Sequence, residues 1–216
     1  MTNARAVISD FGGVLTTPLA AAFQRFSEGS GVTLEELGVA MAAVGAARGE
    51  NPLFTLETGR ISEVEFMAAL SEQLTRARGR DVSLAGFGEA LFSGLAPNAE
   101  FVAFMRDLRG RGHALAICTN NVREWSGRWQ AMIPVAELFD VIIDSSELGV
   151  RKPDPRIYQA TLTALGVAPE SAVFIDDLQI NCEAAAALGM RAVWFQETEQ
   201  AIADVEAALG GDGPAE

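Results

Sequence analysis

The chain has 216 residues, 49% of them hydrophobic and 7% aromatic, with 21 glycines and 8 prolines. That is material for one large globular domain, or for a core with a smaller insertion. The formal charge of −13 repels DNA, RNA and anionic lipid, so the composition speaks against a nucleic-acid partner and a membrane surface.

Cys118 and Cys182 are too few for a disulfide framework, and reduced thiols are the simpler reading. With no secretory leader and no uncharged apolar run of about 18 residues, a soluble cytoplasmic protein is expected. The first apolar run, residues 4–9, reads as a buried strand that meets Asp10 at its end. Residues 21–26, 34–47 and 62–74 then show helical periodicity with no strand among them. Thr58-Gly59-Arg60 reads as a turn, and Ser62 with Glu65 as a capping box. A helical stretch of about 70 residues is too long for an ordinary crossover. Residues 19–92 are therefore expected to form an inserted helical cap, and residues 1–18 and 93–216 the core.

Beyond that block, Asn98 is placed to cap a helix over residues 98–109 that buries Phe101, Met105 and Leu108 and stops at Gly110. Apolar runs at 114–118, 139–143, 172–175 and 191–195 predict four further strands. Helical segments at 156–165 and 179–188, ending at Gly166 and Gly189, fall between them. This alternation predicts an α/β fold, a Rossmann-like three-layer arrangement in which helices cover both faces of a parallel sheet. The tail, residues 210–216, is expected to fray.

The polar residues collect at strand ends. Asp10-Phe11-Gly12-Gly13 follows the first strand, Thr119-Asn120-Asn121 the second and Asp176-Asp177 the fourth, while Arg151-Lys152-Pro153-Asp154-Pro155 precedes a helix. In an open parallel sheet these groups share the rim where ligands bind. Each alone has a plainer reading: a glycine corner, a helix-initiating turn, a surface lysine. Together, Asp10, Asp176 and Asp177 would repel unless a cation compensates. Without a Cys/His set for zinc, a hard oxygen-liganded ion fits, and Mg²⁺ accepts a substrate phosphate as a further ligand. Thr119, Lys152 and the N–H groups around Phe11-Gly12 would hold the phosphate oxygens. This is the pattern of a phosphoryl-transfer site.

The motifs Ser9-Asp10-Phe11-Gly12-Gly13-Val14-Leu15, Cys118-Thr119-Asn120-Asn121, Lys152-Pro153-Asp154 and Phe174-Ile175-Asp176-Asp177, with Asn181 and Gly189, resemble the haloacid dehalogenase superfamily. The likeness is greatest to the capped subgroup that includes the N-terminal phosphatase domain of soluble epoxide hydrolase. The resemblance implies a Mg²⁺-dependent hydrolase of small phosphorylated metabolites in which Asp10 is the nucleophile that forms an aspartyl-phosphate. It implies Thr119, Asn120, Lys152 and the Phe11-Gly12 backbone around the phosphate. Around the metal it implies Asp10, the Gly12 carbonyl and Asp177, with Asp176 acting through water or orienting Lys152; Asn181 supports.

One position departs from the family: Gly12 stands where a second aspartate would supply a general acid/base. Glu57, Thr16 and Thr17 are the substitutes the sequence offers. Two rivals follow, a phosphate- or partner-binding domain whose catalysis has faded, and a metal-free 2-haloacid dehalogenase, against which the Asp176-Asp177 pair argues. Elsewhere His113 reads as an edge residue, Arg76, Arg78 and Arg80 as a solvated basic run, Trp125, Trp129 and Trp194 as packing residues, and Cys118 as a small buried hydrophobe.

Overall fold

The computed structural model describes residues 5–210, apart from the side chains of Ala20 and Ala21. The expected first residue of the leading strand, Ala4, and tail residues 211–216 lie outside the described residues. Five strands form one parallel sheet. The central β1 (Ala6–Ser9) lies between β2 (Ala114–Thr119) and β4 (Ala172–Asp176), with β3 (Val141–Asp144) and β5 (Arg191–Trp194) at the edges. Ile8 pairs with Ala116 on one side and Phe174 on the other, so the ends of β1, β2 and β4 come level.

The two-residue period of a strand sorts the side chains into two layers. Val7, Leu115, Ile117, Val173, Ile175 and Val193 face a cluster completed by α6 (Ala99–Gly110) and α12 (Thr198–Leu209). Ala6, Ile8, Ala116, Cys118, Ala172 and Phe174 face Ile157, Tyr158 and Leu162 of α10 (Pro155–Leu165) and Ala185 of α11 (Gln179–Ala187). A sheet buried on both faces has room for polar groups only at its ends.

Between β1 and β2, before α6, stand α1 (Leu19–Ser30), α2 (Leu34–Arg48), α3 (Pro52–Glu57), α4 (Glu63–Arg78) and α5 (Phe87–Ser93). They enclose an apolar cluster of their own, including Leu37, Leu56, Phe66, Leu70, Leu74 and Phe87. Thr33 with Glu36 and Ser62 with Glu65 form reciprocal capping boxes at α2 and α4. The chain enters and leaves this block side by side. Thr17 N donates to Ala96 O at 2.8 Å, and Asn98 N to Leu15 O at 2.9 Å.

The remaining helices are α7 (Ser126–Gln130), α8 (Val135–Leu138) and α9 (Ser145–Leu148). They and α3 and α5 are too short to show a period in sequence. β3 begins two residues after its expected start because Phe139 ends α8, its N–H donating to Val135 O. Gly110 is the last residue of α6 rather than its stop; the chain turns at Gly112, where φ is +88°. Among the described residues no helix is long and apolar enough to cross a membrane.

Candidate active site

Asp10 leaves β1 with its N–H still bonded to Ile175 O at 2.8 Å, which fixes its start relative to β4. The Lys152 ammonium lies 2.8 Å from Asp10 Oδ1 and 2.6 Å from Asp176 Oδ2. Lys152 is 1% exposed and Asp176 fully buried, so neither charge is screened by water. Asp177 completes the group: each of Asp10, Asp176 and Asp177 offers an oxygen within 4.8 Å of the others.

Lys152 is held at both ends. Its backbone N–H donates to Asn120 Oδ1 at 2.8 Å, and its carbonyl accepts from Asn120 Nδ2 at 3.1 Å. Both ends of the Asn120 side-chain amide are thus committed to the Lys152 backbone. Asp176 is equally committed. Its Oδ1 accepts from Leu178 N and Asn181 Nδ2, both at 2.9 Å, and its Oδ2 from Lys152. Of the two roles the resemblance leaves open for Asp176, these bonds are those of orienting Lys152. The Asn181 carbonyl in turn accepts from the Tyr158 hydroxyl at 3.0 Å.

Burial pushes the Asp10 carboxyl up to about 7, with Asp176 and Asp177 adding repulsion and Lys152 pulling the other way. Burial followed by the Asp176 charge pushes Asp177 up to about 6. For Lys152, burial opposes the charge, but Asp10 and Asp176 outweigh it and hold the ammonium above the usual lysine range. One ammonium thus faces three carboxylates, an arrangement that calls for a further positive charge. The donor set suits a hard cation that needs one or two carboxylates. Asp10 Oδ2 has no partner among the described residues, and Asp177 backs onto Gly13. A Cβ at Gly13, where φ is +82°, would stand 2.4 Å from Asp177 Oδ2, so glycine alone fits there.

Phe11 turns away into the core and packs on Trp129, ring centroids 4.8 Å apart, leaving its backbone at the rim. Gly12 brings no side chain, and Thr119 ends β2 buried beside β1. The substitutes offered for the missing carboxyl are otherwise engaged. Thr16 Oγ1 accepts from Gly13 N and donates to Thr17 O, while Thr17 Oγ1 accepts from Ala96 N. Glu57 is paired with Arg151 at 2.6 Å.

Two other expectations need revision. Trp194 is an exposed residue, not packing, and its Nε1 donates to Asp177 O at 3.0 Å. Arg78 is not part of a solvated turn: it closes α4 and pairs with Glu36, the capping residue of α2. Asp144 and Ser145, at the end of β3, belong to the same rim and were not singled out; the strand-end rule that found Thr119 applies to them too. Ser145 Oγ accepts from Asn121 N at 3.0 Å and donates to Glu57 O at 2.6 Å. His113 sits half-buried before β2, as an edge residue would. Cys118 and Cys182 are free and buried, with burial pushing the thiols up to about 11 and about 12, so they are inert as nucleophiles.

The family model described as haloacid dehalogenase-like hydrolase matches residues 4–189. Acyl-CoA dehydrogenase family member 10 of Mus musculus is 38% identical over 104 residues, 48% of this chain and 10% of that protein. Phosphoserine phosphatase of Thermus thermophilus is 39% identical over 118 residues, 54% of this chain and 47% of that enzyme. The match thus spans less than half of either relative. A phosphatase of Mycobacterium tuberculosis is 32% identical over 169 residues, 74% of this chain and 75% of that protein. Among solved structures, a HAD family enzyme of Bacteroides thetaiotaomicron superposes with a TM-score of 0.70 at 24% identity, covering 89% of this chain and 93% of that one. The same enzyme in complex with magnesium and inorganic phosphate gives 0.66 at 23%, covering 88% and 92%. At these identities the likeness is one of fold.

Proposed function

The chain belongs to the haloacid dehalogenase-like hydrolase family, and from that premise we propose that it is a Mg²⁺-dependent phosphatase of small phosphate monoesters. The observation that carries this is the buried Lys152 ammonium, bonded to Asp10 and Asp176 in a pocket that holds a third carboxylate. The similarity to two phosphatases supports a phosphate ester over a carbon–halogen bond.

In this mechanism the free oxygen of Asp10 attacks phosphorus and the bond to the leaving oxygen breaks, giving an aspartyl-phosphate. Water then attacks phosphorus, releasing phosphate and restoring the carboxylate. Lys152, kept charged by Asp176, neutralises Asp10 and the transferring group, an electrostatic contribution largest in the transition state. Thr119 and the N–H groups around Phe11 and Gly12 take phosphoryl oxygens, and the Asn120 side chain holds the Lys152 backbone. Asp10, Asp177 and the Gly12 carbonyl would hold Mg²⁺, with Asp176 beside them. When bound, the ion supplies the positive charge that the three carboxylates and the phosphate lack. Residues 19–92 serve as a cap over this pocket and residues 1–18 and 93–216 as the catalytic core.

Gly12 lowers the ceiling. A general acid/base contributes typically about 10²–10⁴-fold, or roughly 3–5 kcal/mol of barrier, so esters with good leaving groups are the preferred substrates. The test is phosphate release from a panel of monoesters with and without Mg²⁺. Release that needs the metal and vanishes in Asp10→Asn is expected. Metal-independent halide release from 2-haloacids would make the protein a dehalogenase instead, and phosphate binding without turnover would leave a binding domain.

A further inference from the structure

One partly buried ion pair stands outside this chemistry. Arg151 Nε donates to Glu57 Oε2 at 2.6 Å, and its guanidinium lies over the Phe54 ring, 4.0 Å from the centroid. Glu57 and Phe54 belong to α3 in the helical block; Arg151 belongs to the core loop that carries Lys152. The two charged side chains are only 14% and 18% exposed, so each depends on the other for its counter-charge.

The surroundings make this a built contact. The Ser145 hydroxyl, held by Asn121 N, donates to Glu57 O. Arg123 Nη2 donates to Ser146 O at 2.8 Å under the turn that follows α3. There Gly59 has φ +65°, and a Cβ would come 2.5 Å from Ser146 O, so the turn can lie this close only as glycine. The segment after β2, the start of α9 and the loop before α10 therefore converge on the end of α3. Elsewhere the block meets the core mainly through apolar residues, with Val122 and Trp125 set among block residues such as Phe87 and Phe92, and through Glu63 N, which donates to Glu124 Oε1 at 3.2 Å.

Neighbouring residues in the loop face opposite tasks. Arg151 reaches to α3, while Lys152 reaches into the pocket with its backbone clamped by Asn120. We propose that Arg151 is a positioning residue, clasped by Glu57 and Phe54, so that docking of α3 on the core and placement of Lys152 are one event. For its kinetic readout this rests on the phosphatase reading above; for its structural readout it does not.

The test is a double-substitution cycle with Arg151→Met and Glu57→Gln in the full chain with Mg²⁺. Each single variant is expected to lower kcat on the order of 10- to 100-fold, and the double variant to be no worse than the weaker single, because the two act through one contact. A merely structural role would reduce the folded fraction and leave kcat per folded enzyme unchanged. In parallel, hydrogen exchange is measured with Mg²⁺ and inorganic phosphate. Both single variants are expected to expose amides at 52–60 and at 150–153 together, with β1 unaffected. Independent kinetic losses, or faster exchange at 52–60 with none at 150–153, would overturn the proposal. A wild-type chain that releases no phosphate would sink the phosphatase reading, while the exchange experiment would still decide the clasp.

Discussion

At the sheet rim, charged side chains are buried and bonded to one another; in the helical block, Glu57 apart, they lie nearer the surface and serve the helices. Lys152, Asp10 and Asp176 share one enclosed network, whereas Glu36 and Glu65 close capping boxes at exposed helix ends, and Arg76 pairs with Glu72 across one turn in water. The block's exposed charges stabilise the helix that carries them or, as with Arg78 and Glu36, tie it to its neighbour, in small increments. The rim's charges are costly to bury, and only their mutual contacts offset that cost. A region that opposes its own folding in this way is where function is to be sought.

The sharpest way to break this contrast is Lys152→Met. It strands Asp10 and Asp176 without a counter-charge, and loss of one partner from a buried pair costs about 3–5 kcal/mol. Urea unfolding is expected to show that loss, and phosphate release to fall to background; a stable, active variant would mean that the network is incidental. Gly12→Asp works in the opposite direction. A Cβ there would meet the Leu19 side chain first, with Cδ1 at 3.2 Å, the end of a side chain that can yield. A general acid/base is worth about 10²–10⁴-fold, so kcat for esters with poor leaving groups is expected to rise; an unchanged rate would show that another group already serves.

The pH dependence of stability is a smaller effect. Asp10 at about 7 and Asp177 at about 6, each raised from 3.8, bind more protons folded than unfolded between the ordinary and the raised values. Metal-free protein should therefore lose stability as pH climbs from about 4 to about 7. Glu36, held down to about 2 chiefly by its bond to Arg78, titrates below this window. Thermal unfolding in a chelator should show the decline, reduced in Asp177→Asn and reduced by Mg²⁺. A metal-free wild type equally stable across the window would remove the repulsion on which the argument for a cation rests. The smallest effect belongs to the block: Ser62→Ala removes one capping box and is expected to cost about 1 kcal/mol with kcat unchanged.

What was legible in the sequence follows the same division. Strand ends could be read because each apolar run stops at a polar residue, and a parallel sheet brings those stops to one rim; Asp10, Thr119 and Asp176-Asp177 emerged that way. The Ser62–Glu65 capping box and the glycine stops at Gly166 and Gly189 are local signals and were equally plain; the Thr33–Glu36 box is as local a signal and was passed over. The partners of side chains across the fold were not. Nothing in the order of residues says that Asn120 spends its amide on the Lys152 backbone, that Arg78 reaches Glu36, or that Arg151 crosses to α3. Those pairings depend on how the block sits on the sheet, and no spacing encodes that. α12 was missed although Ala201, Val205 and Leu209 recur on one helical face, a period that its alanines weaken.

The most direct measurement is acid-quench trapping during turnover of a labelled phosphate monoester with Mg²⁺, followed by peptide mapping. A phosphoryl group is expected on the peptide that contains Asp10, absent when the metal is withheld and absent in Asp10→Asn. Steady turnover with no adduct there, or undiminished turnover by Asp10→Asn, would contradict the assignment of that carboxylate as the nucleophile.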